Sequence, residues 1–93
     1  MPRVLAENRY LGANVRRLRD RADLSQAELA EQVGISVVAL SRIERGTVDV
    51  YLSTVVRLAQ ALSVKPGRLL EAAKLPPARI GRRKLARART SSP

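Results

Sequence analysis

The stretch that decides the fold is residues 25–46, SQAELAEQVGISVVALSRIERG. It reads as two short helices joined by a tight turn. Ser25 is an N-cap residue, and Glu28, three positions on, completes the capping-box spacing at the head of the first helix. On that helix Leu29, Ala30 and Val33 fall on one face at helical spacing. Gly34 follows, where a backbone leaving a helix takes a positive φ at little steric cost. Ile35 reads as a buried plug and Ser36 as the N-cap of the second helix. Leu40 and Ile43 turn that helix's apolar side back toward the first, and Gly46 gives it a stop. A side chain bulkier than Ala30 would push the two helix axes apart.

Upstream, residues 1–8 (MPRVLAEN) have no clear period and read as an N-terminal arm. From Tyr10 the pattern is helical, with Leu11, Val15, Leu18 and Ala22 on one stripe and Arg16, Arg17, Arg19 and Arg21 on the other faces. Gly12 weakens the first turn, so the helix starts anywhere from Asn8 to Asn14. Leu24 is expected in the core at the bend that follows. Downstream, TVDVY (47–51) reads as a connecting loop. A fourth helix runs from about Leu52 to Leu62, with Leu52, Val55, Val56, Ala59 and Leu62 as its buried stripe. Pro66 suits the first turn of a short fifth helix that buries Leu69, Leu70 and Ala73 and ends at Pro76 and Pro77. These readings divide the chain into an arm (1–8), a helical domain (9–75) and a basic tail (76–93). The expected fold class is all-α, a compact bundle of five helices without strands.

Ninety-three residues make one small domain whose core is marginal, so oligomerisation would help it. Eighteen Lys and Arg against eight Asp and Glu leave a net charge of +10, which points to nucleic acid or an anionic surface as partner. The charge is unevenly placed: residues 1–73 carry eleven basic and eight acidic side chains, whereas residues 74–93 carry seven basic and none acidic. Cysteine and histidine are absent, which removes disulfides, thiolate metal sites, the commonest zinc ligand and the commonest general base. Glu28 and Glu31 lie three apart on a short helix beside Ser25, so capping and surface duty explain them. With no Gly-rich phosphate loop, nucleophile constellation or metal spacing, neither catalysis nor a cofactor is expected. No long apolar run suggests a membrane span, so a cytoplasmic protein is the default expectation.

The spacing of Gln26, Ala30, Gly34, Leu40 and Ile43, closed by Glu44 and Gly46, resembles the helix-turn-helix of the phage Cro and repressor type, the xenobiotic-response-element family of bacterial regulators. The likeness runs from about Leu11 to about Glu71. It implies a lambda-repressor-like DNA-binding domain whose second motif helix reads the major groove. Val37, Val38, Ser41 and Arg42 match the positions where the family's base contacts cluster. A guanidinium at Arg42 pairs bidentately with guanine O6 and N7, the valines suit thymine methyls, and Ser41 discriminates little. The bland alternatives are that Val38 belongs to the core and that Arg42 meets only phosphate. By the same resemblance Gln26 binds a phosphate at its helix N-terminus, with Arg45, Thr47 and Arg17 as weaker phosphate candidates. The resemblance also resolves Glu44, a carboxylate on a DNA-facing helix: the family's Glu here pairs with an Arg on the first helix. Arg19 is the matching position, with Arg16 as runner-up.

Function is then expected to be sequence-specific binding of double-stranded DNA by a transcriptional regulator, a repressor acting as a homodimer on a palindromic operator. Leu69, Leu70 and Leu75 are the dimer-surface candidates. In the tail, Arg82, Arg83, Lys84, Arg87 and Arg89 are phosphate candidates, with minor-groove insertion or a solvated end as the other readings. An antitoxin with a toxin partner and a restriction–modification controller would use the same domain. From a different class, an RNA-binding protein or interaction adaptor would rely on the basic tail.

Overall fold

The computed structural model describes residues 4–75, and those residues are all-helical. The helices are α1 (Ala6–Arg21), α2 (Gln26–Val33), α3 (Val37–Arg45), α4 (Leu52–Ala61) and α5 (Pro66–Leu69). Expectations for the tail, including Arg82, Arg83, Lys84, Arg87 and Arg89, lie outside the described residues.

The local chemistry read from residues 25–46 accounts for both ends of α2 and α3. Ser25 Oγ accepts the Glu28 N–H at 3.0 Å, and Glu28 Oε1 accepts the Ser25 N–H at 2.8 Å. Ser36 Oγ accepts from the Ala39 N–H at 3.0 Å, starting α3. Gly34 (φ 85°) and Gly46 (φ 71°) end the two helices in the left-handed region, where a Cβ would be strained.

α1 packs along α3, α2 bridges α3 and α4, and α5 closes over α4 and α1. The core joins Leu11 and Val15 of α1, Leu29, Ala30 and Val33 of α2, Leu40 and Ile43 of α3, Val55, Leu58 and Ala59 of α4, and Leu69 of α5. Ala30 is buried, as its small size requires, while Ile35 is only half-buried against the core edge.

Five expectations are corrected. α1 begins at Ala6, so residues 6–8 belong to the domain and not to an arm. Asn8 makes the early start possible, because its Oδ1 accepts the Leu5 N–H at 2.8 Å and satisfies one unpaired donor of the first turn. Ala22, at the C-cap of α1, is exposed. In α4 Leu52 is 75% exposed, and Leu58, which was not expected inside, is fully buried. The inward face therefore runs through Thr54, Val55, Leu58 and Ala59, the side that α2 and α5 cover. Finally, α5 ends at Leu69, well before Pro76. Leu69 is fully buried in the monomer, which removes it from the dimer-surface candidates; Leu70 is 44% exposed and Leu75 half-buried.

Asn14 explains where α5 stops. It is buried among apolar neighbours on α1, and its Nδ2 donates to Leu69 O and Glu71 O, both at 2.9 Å. Carbonyls at a helix end lack intrahelical partners. One side-chain amide supplies both of these and fastens the end of α5 to α1.

Candidate nucleic-acid interface

Residues Val37, Val38, Ser41, Arg42 and Arg45 recur along α3 at steps that keep them on one side, at about 100° per residue. The opposite side carries Leu40 and Ile43, both buried. Val37 is 43% and Val38 58% exposed, Arg42 and Arg45 are exposed, and Ser41 is half-buried. The core alternative for Val38 is thereby excluded. Two valines exposed side by side on an otherwise well-packed domain are an apolar surface flanked by two guanidinium groups. That combination suits the thymine methyls, guanine edges and phosphates of a major groove.

Gly12 sets how close α1 and α3 come. A Cβ there would collide with the main-chain carbonyls of Ile43 and Glu44, so the two backbones touch. The glycine that weakens α1 as an isolated helix is what lets α3 dock. Across this contact Arg19 of α1 meets Glu44 of α3. Arg19 Nε donates to Glu44 Oε2 at 2.6 Å and Nη2 donates to Oε1 at 3.1 Å, a two-pronged pairing. The side chains are only 11% and 4% exposed. Arg19 Nη1 donates to Leu24 O at 2.8 Å and lies 3.5 Å from Asp20 Oδ1. The hydrogen bonds to Glu44 raise the Arg19 pKa above its already high ordinary value, outweighing the burial that opposes the charge. Arg16, the alternative partner, is exposed.

Gln26 enters the same network, since its Nε2 donates to Glu44 Oε1 at 3.0 Å. Glu44 thus ties together the C-terminal part of α3, the N-terminus of α2 and the last turn of α1. The phosphate role that the family resemblance implies for Gln26 does not include this contact. In the described state one of its amide hydrogens faces Glu44, which leaves the other hydrogen and the first N–H groups of α2 for an anion.

The remaining candidates sit around this centre. Thr47 is exposed, with its hydroxyl donating to Arg42 O at 3.3 Å, and Arg45 Nε reaches back to Ser41 O at 3.4 Å. Arg17 turns away from α3: its Nη2 donates to Asn14 Oδ1 at 3.2 Å, beside the end of α5. Sequence reasoning missed Asn14, Asn8 and the contact role of Gly12. For Asn14 a signal existed, because it falls inside the stripe formed by Leu11, Val15 and Leu18.

The helix-turn-helix domain family matches residues 10–73. An uncharacterised HTH-type transcriptional regulator of Mycobacterium tuberculosis is 43% identical over 65 residues, covering 67% of this chain and 25% of that protein. The chain thus spans about a quarter of the length of its mycobacterial relatives. Among solved structures, the restriction–modification controller protein C.AhdI from Aeromonas hydrophila is similar at 34% identity and a TM-score of 0.66, covering 70% of this chain and 98% of that one. The P22 c2 repressor in complex with a synthetic operator is similar at 32% identity and a TM-score of 0.64, covering 68% and 96%. The chain belongs to the helix-turn-helix domain family. Within it, the five-helix fold is that of the Cro and repressor-type DNA-binding regulators.

Proposed function

We propose that this chain binds double-stranded DNA sequence-specifically by laying α3 in the major groove. The observation that carries this reading is the outward row of α3, Val37, Val38, Ser41 and Arg42, set opposite a buried brace of Arg19, Glu44 and Gln26. Arg42 pairs with a guanine edge, the valines meet thymine methyls, and Ser41 adds a permissive hydrogen bond. The N-terminus of α2 at Gln26, together with Arg45 and Thr47, takes backbone phosphates and fixes the register. The family resemblance and the operator-bound state of the P22 repressor support the same docking.

One reading helix meets only a few base pairs, so the functional unit is a homodimer on a two-fold symmetric operator, acting as a transcriptional repressor. Leu70 and Leu75, at the α5 end, are its contact candidates. The seven basic residues from Lys74 onward add sequence-independent affinity by releasing counterions. A second reading, control of a restriction–modification system, is favoured by the match to C.AhdI over nearly that protein's whole length. It uses the same site and differs in which genes lie beside the operator.

Selection of the full chain against a pool of random duplexes tests the proposal. Enrichment of one two-fold symmetric motif, with half-sites about one helical turn apart, is expected. A pool that stays random refutes sequence-specific binding, and a single half-site bound by one chain refutes the homodimer.

A further inference from the structure

The first turn of α1 carries a cation that neither the family's spacing nor the outward row of α3 includes. α1 starts early, at Ala6, and its first turn is docked against the turn that follows α3. Asn8 Nδ2 donates to Val48 O at 2.9 Å. Next to it, Arg9 lies over Gly46: a Cβ on that glycine would come within 2.8 Å of Arg9 Cα and 3.1 Å of its Cγ. The backbone and stem of Arg9 are thus held against the residue that ends α3, while the side chain as a whole is exposed. The ion pairs of the described residues involve Arg19 and Arg68, and none includes Arg9. Arg42 and Arg45, also exposed, precede Gly46 on the same end of α3. The acidic residues closest in the chain are Glu44, which is paired with Arg19, and Glu7 and Asp49, which are exposed; none of the three is in an ion pair with Arg9, Arg42 or Arg45.

Arg9 is thus anchored by its stem at the C-terminal end of the outward helix, the end whose own exposed arginines are Arg42 and Arg45. Exposed arginines at that end, in no ion pair among the described residues, raise the local positive potential, which favours an anion there. A purely structural role for Arg9 is also chemically sensible, because a cation at a helix C-terminus favours the dipole of α3. That role, however, does not require the charge to stay exposed at the end of the outward helix.

We infer that Arg9 is a further phosphate-contacting residue, which extends the DNA footprint from the C-terminal end of α3 onto α1; this rests on the DNA-binding reading above. The contact is with a backbone phosphate and is independent of sequence. The test measures binding of the full chain to a random-sequence duplex by fluorescence anisotropy over a range of salt concentrations. Wild type, Arg9→Ala and Arg9→Lys are compared, with thermal melting of each. Arg9→Ala should lower the slope of log affinity against log salt by about 0.9, the value for one lost phosphate contact. Arg9→Lys, which keeps the charge, should retain the slope. An unchanged slope in Arg9→Ala overturns the inference, and a lower melting temperature with that unchanged slope assigns Arg9 to the α3 dipole instead. Failure of the wild type to bind the duplex at low salt overturns the DNA-binding reading itself, which separates the two failures.

Discussion

Replacing Arg19 by Met removes the cation from the brace while keeping most of the stem's volume. Glu44 would then remain 4% exposed, with the Gln26 amide as its one hydrogen-bond donor from the original network. Removing one partner of a buried pair costs about 3–5 kcal/mol, because the other charge stays desolvated and uncompensated. The reverse change, Glu44→Gln, is milder. Arg19 keeps Leu24 O at 2.8 Å and Asp20 at 3.5 Å, and the new amide oxygen still accepts from the guanidinium. That variant should lose about 1–3 kcal/mol. For a domain of this size each kcal/mol corresponds to roughly 4–8 °C, so Arg19→Met should lower the melting temperature by about 12 °C or more. Urea titrations of both variants and of the double variant, followed by far-UV circular dichroism, give the costs and the coupling between the two sites. Equal costs for the two single variants, or a cost below about 1 kcal/mol for Arg19→Met, would refute the reasoning that Glu44 is the partner stranded by the change.

Asn14→Ala should leave Leu69 O and Glu71 O without their donor at a cost of about 1–3 kcal/mol. Hydrogen exchange should show the α5 amides losing protection before those of α2 and α3; uniform loss would assign Asn14 to the core at large. Glu28 is held below the ordinary carboxylate range, first by the Ser25 N–H and then by its hydroxyl. A carboxylate depressed in the folded state stabilises fully above its unfolded pKa, and that contribution fades as pH falls through the folded value. NMR titration should place the Glu28 midpoint below that of an unstructured Glu, and Ser25→Ala, which removes the hydroxyl and keeps the main-chain N–H, should raise it only part of the way. Ser25→Ala should also cost about 1 kcal/mol at neutral pH through loss of the N-cap. A wild-type Glu28 midpoint equal to that of an unstructured Glu would show that the capping box does not form in solution.

Much of this architecture could be read from residues 25–46, because both helices carry their caps, stops and apolar faces within the segment. Ser25, Gly34, Ser36 and Gly46 act on backbone groups a few positions away, and short-range chemistry of that kind is written locally. The inward face of α4 was not. LSTVVRLAQA has apolar residues on more than one side, so steps of three and four fit a stripe through Leu52 as well as one through Leu58. Docking of α2 and α5 settles the choice, and no local feature encodes it. Gly12 illustrates the same limit from the other direction: helix propensity counts it as a weakness, whereas its value lies in close approach to the carbonyls of Ile43 and Glu44, far away in the chain. Of the candidate site, the exposed row on α3 followed from Leu40 and Ile43 pointing inward, and the family's spacing gave Arg19 and Glu44. The attachment of Gln26 to Glu44 depends on where α2 begins relative to α3, which is a matter of three-dimensional packing.

On the DNA-binding function proposed above, the outward face of α3 reads base edges, with Arg42 foremost. The direct measurement is the ratio of affinities for the selected operator and a random duplex, at one fixed salt concentration, for wild type and Arg42→Ala. Loss of a bidentate guanine contact should reduce that ratio by about 1–3 kcal/mol, and the preference should relax at a single position of each half-site. An unchanged ratio, with both duplexes weakened alike, would contradict base reading by Arg42 and leave it a phosphate contact.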